Sequence, residues 1–235
     1  SSLSGSLNTK TAVLNNTDPN AWRLTAFAFR DDVSGGTSIA NTQPSSTIPP
    51  ISYVGKGANW WYGGAQASLT INKPSNLQTG DLMIAFGAFA GTATPDAPTG
   101  WTQVARRATQ VGNGDDHSGS GTFVVWKRTA TASEPNSWTA SYSGYGTPLM
   151  TQSVAYRGCD ADSAQFIAQA TSSTTSNYFL STATVTNTDS KAWRVAAFMA
   201  TTPYGDSMFS SSGTERSDNT TDVGAHPDIN MAVYD

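Results

Sequence analysis

Residues able to act as acid, base or nucleophile are scarce in this 235-residue chain. It holds two His and one Cys, and Asp, Glu, Lys and Arg together make up 13%. Asp31-Asp32 with Asp81 have the types for a glycosidase-like carboxylate pair, but nothing in the sequence sets the separation that such chemistry needs. Asp115-Asp116-His117 lies in a polar, Gly-rich stretch and aligns near His226-Pro227-Asp228, and Asp160-Ala161-Asp162 follows a strand pattern. Each carries donors that suit a cation, and each also reads as a solvated hairpin tip or loop. A Gly-x-Ser-x-Gly elbow, an HExxH pair and a phosphate loop are all absent, so the chain reads as no enzyme, with no cofactor and no metal site. Cys159 reads as a small packed apolar group, and a lone Cys excludes an intrachain disulfide.

Aromatic residues offer a different chemistry. Trp60-Trp61-Tyr62 is flanked by Gly57 and Gly63-Gly64. Indole and phenol faces on such a loop can stack on the axial C–H groups of a sugar; the competing reading is a Trp that plugs the end of a β-sandwich. Tyr145 is a weaker candidate for the same glycan contact, with Tyr142 and Tyr204. Trp22 and Trp193 each follow a turn inside a strand pattern and read as core or inter-unit packing. Trp101, directly after Gly100, reads as a cover for a sandwich end, and Trp126 and Trp138 as sheet residues.

The elements that must position these residues are strands. Gly, Ser and Thr take up the share that charged residues leave, while seven Trp, eight Tyr and nine Phe supply core material. The net charge of −4, with Arg106-Arg107 and Lys127-Arg128 as the only basic pairs, argues against nucleic acid as a partner. The longest apolar run, about eight residues, argues against a membrane span.

The organising stretch runs from Gly80 to Cys159. An apolar strand Leu82 to Phe89 leads into the turn Pro95 to Gly100 and the alternating run Trp101 to Val104. A polar hairpin then precedes the strong strand Thr122 to Lys127, the turn Thr131 to Pro135, and strands near Trp138 to Tyr142 and Gln152 to Tyr156. Turn signals recur every 8–12 residues or so and no capped helical period appears. The fold class is therefore all-β, in tandem antiparallel β-sandwich modules of jelly-roll or Ig-like type, with partial units at both ends. The expected division is a partial unit at 1–30, a Pro/Gly/Ser linker at 31–50, a complete sandwich at 51–160 and a second, incomplete sandwich at 161–235.

Repetition supports this division. Asn16-Thr17-Asp18-Pro19-Asn20-Ala21-Trp22-Arg23-Leu24-Thr25-Ala26-Phe27 recurs 171 residues later as Asn187-Thr188-Asp189-Ser190-Lys191-Ala192-Trp193-Arg194-Val195-Ala196-Ala197-Phe198. A weaker copy aligns Gly80 to Phe86 with Ala192 to Phe198, and Phe123 to Trp126 with Met231 to Tyr234. Partial units would leave open edges. The expectation is a segment of a longer polypeptide, or end units completed by strands from neighbouring subunits; packing of 1–30 with 163–235 in the same chain stays open.

Five short motifs carry a resemblance. They are Gly80-Asp81-Leu82, Ala97-Pro98-Thr99-Gly100-Trp101, Trp126-Lys127, Ala132-Ser133-Glu134-Pro135 and Val154-Ala155-Tyr156-Arg157-Gly158. In this order they resemble β-sandwich modules of minor tail and tail-fibre-like proteins of actinobacterial bacteriophages, over residues 80–160 or so. Related modules also occur in secreted bacterial proteins. The resemblance implies a virion structural protein, extracellular, in a tail or fibre, with other copies of itself or other virion proteins as partners, a homo-oligomeric state and contact with a host cell-surface glycan. It supplies no catalytic residues. The alternatives are a carbohydrate-binding or adhesion module of a secreted bacterial surface protein, and a capsid decoration protein.

Overall fold

A computed structural model describes residues 50–62, 68–91, 94–109, 121–143, 149–159, 193, 195–202, 213–220 and 228–235, together with backbone strands at 5–6, 11–13, 24–30, 165–172, 179–181 and 186–187. All regular structure among the described residues is β, and every ladder is antiparallel.

The N-terminal strands are β1 (Gly5–Ser6), β2 (Thr11–Val13) and β3 (Leu24–Arg30). The central strands are β4 (Ser52–Lys56), β5 (Trp60–Tyr62), β6 (Ser68–Asn72), β7 (Leu82–Ala90), β8 (Thr94–Pro95), β9 (Thr102–Thr109), β10 (Gly121–Thr129), β11 (Ser137–Ser143) and β12 (Leu149–Arg157). The C-terminal strands are β13 (Gln165–Ser172), β14 (Phe179–Ser181), β15 (Thr186–Asn187), β16 (Ala196–Thr202), β17 (Glu215–Thr220) and β18 (Asp228–Tyr234).

A six-stranded sheet in the order β4-β12-β7-β10-β9, with β5 also on β12, is the middle layer. Its central strand β7 reads Leu-Met-Ile-Ala-Phe-Gly-Ala-Phe-Ala, apolar without alternation, because both faces are covered. One face presents Met83, Ala85 and Phe89 with Val124 and Trp126 of β10, packed on Leu69 and Ile71 of β6 and Trp138 and Ala140 of β11. Those two strands belong to the sheet β6-β11-β8 and alternate buried and more exposed positions, as a one-sided layer must. The opposite face presents Leu82, Ile84, Phe86 and Ala88 with Phe123 and Val125, packed on Val195, Ala197, Ile229, Met231 and Val233 around the sheet β16-β18-β17.

Two local features let the middle layer close. Gly87 leaves room for the Trp126 ring: a Cβ there would lie 2.8 Å from it and 2.9 Å from Val124 Cγ1. Gly100 turns the chain into Trp101 at a φ of +79°, where glycine carries no steric penalty, and Trp101 N–H donates to Pro98 O at 2.9 Å.

The ladders recur. Trp126 faces Ala85 across β10–β7 and Tyr234 faces Ala196 across β18–β16. On their other sides, β10 meets β9 with a shift between Val125 and Trp126, and β18 meets β17 with a shift between Glu215 and Ser217, opposite Val233 and Tyr234. The bulge thus sits at the same place in both. The match of Phe86 with Phe198 slips by one residue in the structure, where Ala85 and Ala196 hold equivalent ladder positions. Phe86 accordingly faces the C-terminal sheet, whereas Phe198 packs edge-on against Tyr234 at 5.7 Å, outside that shared core.

The N-terminal strands pair with C-terminal ones: β1 with β15, β2 with β14, β3 with β13. The β13–β3 ladder pairs Gln165 with Arg30, Phe166 with Phe29 and Ala168 with Ala28, skipping Ile167. The β12–β4 ladder pairs Arg157 with Ser52, Tyr156 with Tyr53 and Ala155 with Gly55, skipping Val54. Strand β3, like β16 in sequence, therefore has the pairing of β12, and it runs beside β16 as β12 runs beside β7.

Candidate functional site

The motif residues form internal ties. Asp81, buried at the start of β7, accepts two hydrogen bonds from Arg157 at 2.8 Å each and one from the Gln78 N–H at 2.7 Å. Arg157 also donates to the carbonyl of Asn76 at 3.2 Å, and Asn76 is itself held at a φ of 58°. The hydrogen bond to Asp81 raises the guanidinium pKa. This pair joins Gly-Asp-Leu to Tyr-Arg-Gly and occupies the carboxylate that sequence grouped with Asp31-Asp32. Both of those residues lie outside the described ones.

Glu134 closes the turn after β10. It takes a forked set of contacts from Arg128, the shortest 3.0 Å, the Thr131 N–H at 2.6 Å and the Thr131 hydroxyl at 2.8 Å. Burial pushes its carboxyl up, but the Thr131 donors and Arg128 outweigh burial and hold it below the usual value. Arg128 lies over Trp138 at 5.8 Å, and Trp138 meets Trp101 edge-on at 5.2 Å. Arg128, the residue after the Trp126-Lys127 motif, thus joins the Gly-Trp and Glu-Pro motifs at one end of the core.

A second set of polar residues, of which only Tyr156 belongs to one of the motifs, spans the seam between the middle layer and the sheet β16-β18-β17. Buried Gln152 donates to Gly57 O at 2.8 Å and Ser153 O at 2.9 Å, and accepts from Ser217 Oγ at 2.9 Å and Asn219 Nδ2 at 3.2 Å. Asn219 also donates to Ser217 Oγ. Further along, Asp235 accepts from Tyr156 OH at 3.1 Å and Arg216 Nε at 2.8 Å. Arg216 lies 4.2 Å over the Tyr53 ring, and Tyr156 contacts both Tyr53 and Trp193. Burial first, and then the Asp235 carboxylate, push the Tyr156 phenol well above its usual range. The one signal in the sequence was the polar pair Gln152-Ser153 within a strand whose other described neighbours are largely apolar.

The aromatic cluster separates on a short edge strand. Strand β5 pairs Tyr62 with Leu149, Trp61 with Met150 and Trp60 with Thr151, so Trp60 and Tyr62 point to one face and Trp61 to the other. Trp60 is half-buried against the core of Trp126 and Trp138. Trp61 is 45% exposed and Tyr62 39%, and they are the exposed large hydrophobics among the described residues. The three rings thus do not make one continuous platform. Tyr145, the other glycan candidate, lies outside the described residues, as do Trp22, Tyr204, Asp115-Asp116-His117, Asp160-Ala161-Asp162 and His226.

Trp101 and Trp126 are buried, the latter completely, and Trp193 is half-buried on the seam. Cys159 is half-buried against the same seam core. Among the described residues no group of three or more His, Cys, Asp or Glu is placed to hold a metal ion.

No family model, curated protein or solved structure matches this chain.

Proposed function

We propose that this protein is a virion structural component, a minor tail or tail-fibre protein built from tandem β-sandwich modules. The observation that carries the reading is how the motif residues are used. Asp81, Gly100, Trp101, Arg128, Glu134 and Arg157 join turns to strands inside the layer stack, and each is engaged by another part of the chain. Residues committed to internal ties suit a protein whose work is to hold shape and spacing. Modular construction is supported by the recurrence of strand order and bulge position between β7-β10-β9 and β16-β18-β17. Hydrogen bonds and apolar contacts across the seam make neighbouring layers a stiff unit, as a fibre requires.

Immunogold electron microscopy of source lysates, with antibody against residues 51–160, tests this reading. Label on phage tails or fibres is the expected result. Bare virions with label on cell walls or free filaments overturn it.

The exposure of Trp61 and Tyr62 favours one second reading, an adhesion module that stacks a surface glycan. Its mark is a weak sugar affinity that disappears in Trp61→Ala.

A further inference from the structure

We infer that strands β2 and β3 are a donor arm for an acceptor built from β13, β14, β16, β17 and β18, and that copies of this chain join head to tail by passing the arm from one copy to the next. The inference rests on the modular reading above and adds the partner, a second copy of this chain, and the surface it uses.

Matching ladders identify the arm. In the central set, β12 pairs with the first strand β4 and with β7, and β11 pairs with β6. In the C-terminal set, β3 pairs with β13 and runs beside β16, and β2 pairs with β14. The β12–β4 and β11–β6 ladders thus have counterparts in β3–β13 and β2–β14, and β3 runs beside β16 as β12 does beside β7, while the β12–β5 ladder has no counterpart among the described residues. The correspondence reaches single residues. Ala28-Phe29-Arg30 stands where Ala155-Tyr156-Arg157 stands, with one partner residue skipped at the same point, Ile167 in one ladder and Val54 in the other. Spacing agrees as well: 17 residues separate Val13 from Arg30, and 17 separate Ala140 from Arg157.

The acceptor recognises backbone, through antiparallel ladders that are the same whichever chain supplies the arm. The arm is joined to the central strands by residues 31–50, a stretch with three Pro and two Gly. Twenty residues reach at most about 70 Å when extended, far enough for a neighbour. Each chain carries one arm and one acceptor, and they meet through ladders between different strands rather than through a self-complementary patch. Exchange between copies is therefore heterologous and extends into a filament unless rotation closes a ring.

Register-specific cross-linking tests the proposal. Full-length Thr25→Cys and Thr171→Cys chains, each also Cys159→Ser, are co-refolded in equal amounts and oxidised. These positions face each other across β3–β13. The control mixes Thr25→Cys with Phe166→Cys, five residues off register and about 17 Å away along the strand. A heterodimer about tenfold stronger in the in-register mixture is expected, since opposed strand residues meet disulfide geometry. Equal bands, or no heterodimer while the double variant Thr25→Cys/Thr171→Cys closes within one chain, overturn exchange between copies. Failure of both this pair and a second pair, Ala26→Cys with Ala170→Cys, to close in either arrangement overturns the register. Immunogold labelling reports location and cross-linking reports pairing, so the two readings fail separately.

Discussion

The two faces of the six-stranded sheet are both buried, yet they are held in different ways. Toward β6-β11-β8 the contact is mainly apolar and aromatic, Met83, Phe89, Val124 and Trp126 against Leu69, Ile71 and Trp138, with the Thr151 and Ser153 hydroxyls of β12 donating to the β6 carbonyls of Thr70 and Asn72. Toward β16-β18-β17 an apolar centre of Phe86, Val125, Met231 and Val233 is accompanied by buried hydrogen bonds at Gln152 and an ion pair at Asp235. Dispersion and water exclusion reward any close-packed arrangement, whereas directed hydrogen bonds reward one alignment and penalise its neighbours. The first face is mainly a core, with two hydroxyl ties at its β12 edge, and the second is a joint whose larger polar network gives it a defined setting.

The largest effect should come from emptying the first face. Trp126 is fully buried and packs over Gly87, so Trp126→Ala leaves a cavity and should cost about 3–5 kcal/mol in urea denaturation. A cost below about 1 kcal/mol would mean that the apolar face is not the main source of stability, and the contrast with the seam would fail.

Gln152→Ala should be next. It strands the Gly57 carbonyl and leaves Ser217 and Asn219 without their shared acceptor, at a cost of about 1–3 kcal/mol. The location of the effect matters more than its size. Amide exchange should speed up in β17 and leave β11 unchanged. Equal acceleration in both would show that the seam is not separable from the core.

Much of the first face was legible in the sequence. The run Leu82 to Phe89, the strand Thr122 to Lys127 and the Gly100-Trp101 turn lie where composition and alternation put them, because local pattern and burial agree there. The second face was not legible. The unbroken apolar run of β7 signals burial on both faces but does not say which strands cover the second. The hydrogen bonds that cross the seam link residues 65 or more positions apart, such as Gln152 and Ser217, and no local pattern encodes such a pairing. The aromatic triplet was legible as a cluster, for glycan stacking or for plugging the sandwich end, but not in its division: strand geometry packs Trp60 against the core and sends Trp61 to the opposite face. Repetition misled in part. The shared Ala-Trp-Arg sequence joins β3 to β16, while the ladders give β3 the place of a different strand.

A smaller effect should appear with pH. Burial, and then the nearby Glu215, raise Asp218 from 3.8 to about 6, partly opposed by the Asn219 backbone hydrogen bond. The folded chain therefore keeps this proton at pH values where the unfolded chain has released it. Stability from Asp218 is fully present below 3.8 and is lost as the pH rises through 6. Glu134 runs the other way: its depressed value makes its contribution present above 4.5 and lost as the pH falls through the lowered value. Melting curves between about pH 4 and about pH 7 should show Asp218→Asn gaining on the wild type as pH rises. Parallel curves would remove Asp218 as a source of pH sensitivity in the seam sheet.

The smallest effect should be at Trp61. At 45% exposed it contributes little to either face, and Trp61→Ala should change stability by no more than about 0.5 kcal/mol. Its neighbour Trp60 packs against the Trp126 core, so Trp60→Ala should cost more in the same assay. The ordering separates the two roles within one three-residue strand. A Trp61 cost equal to that of Trp60 would mean that the exposed ring seals the sheet edge, which would remove the physical ground for a glycan contact there. A neutral Trp61→Ala leaves an indole held on a paired strand and turned to solvent, without a role in the fold. Exposure alone does not assign such a residue a contact, so the sugar affinity of Trp61→Ala decides between a glycan site and a plain surface aromatic.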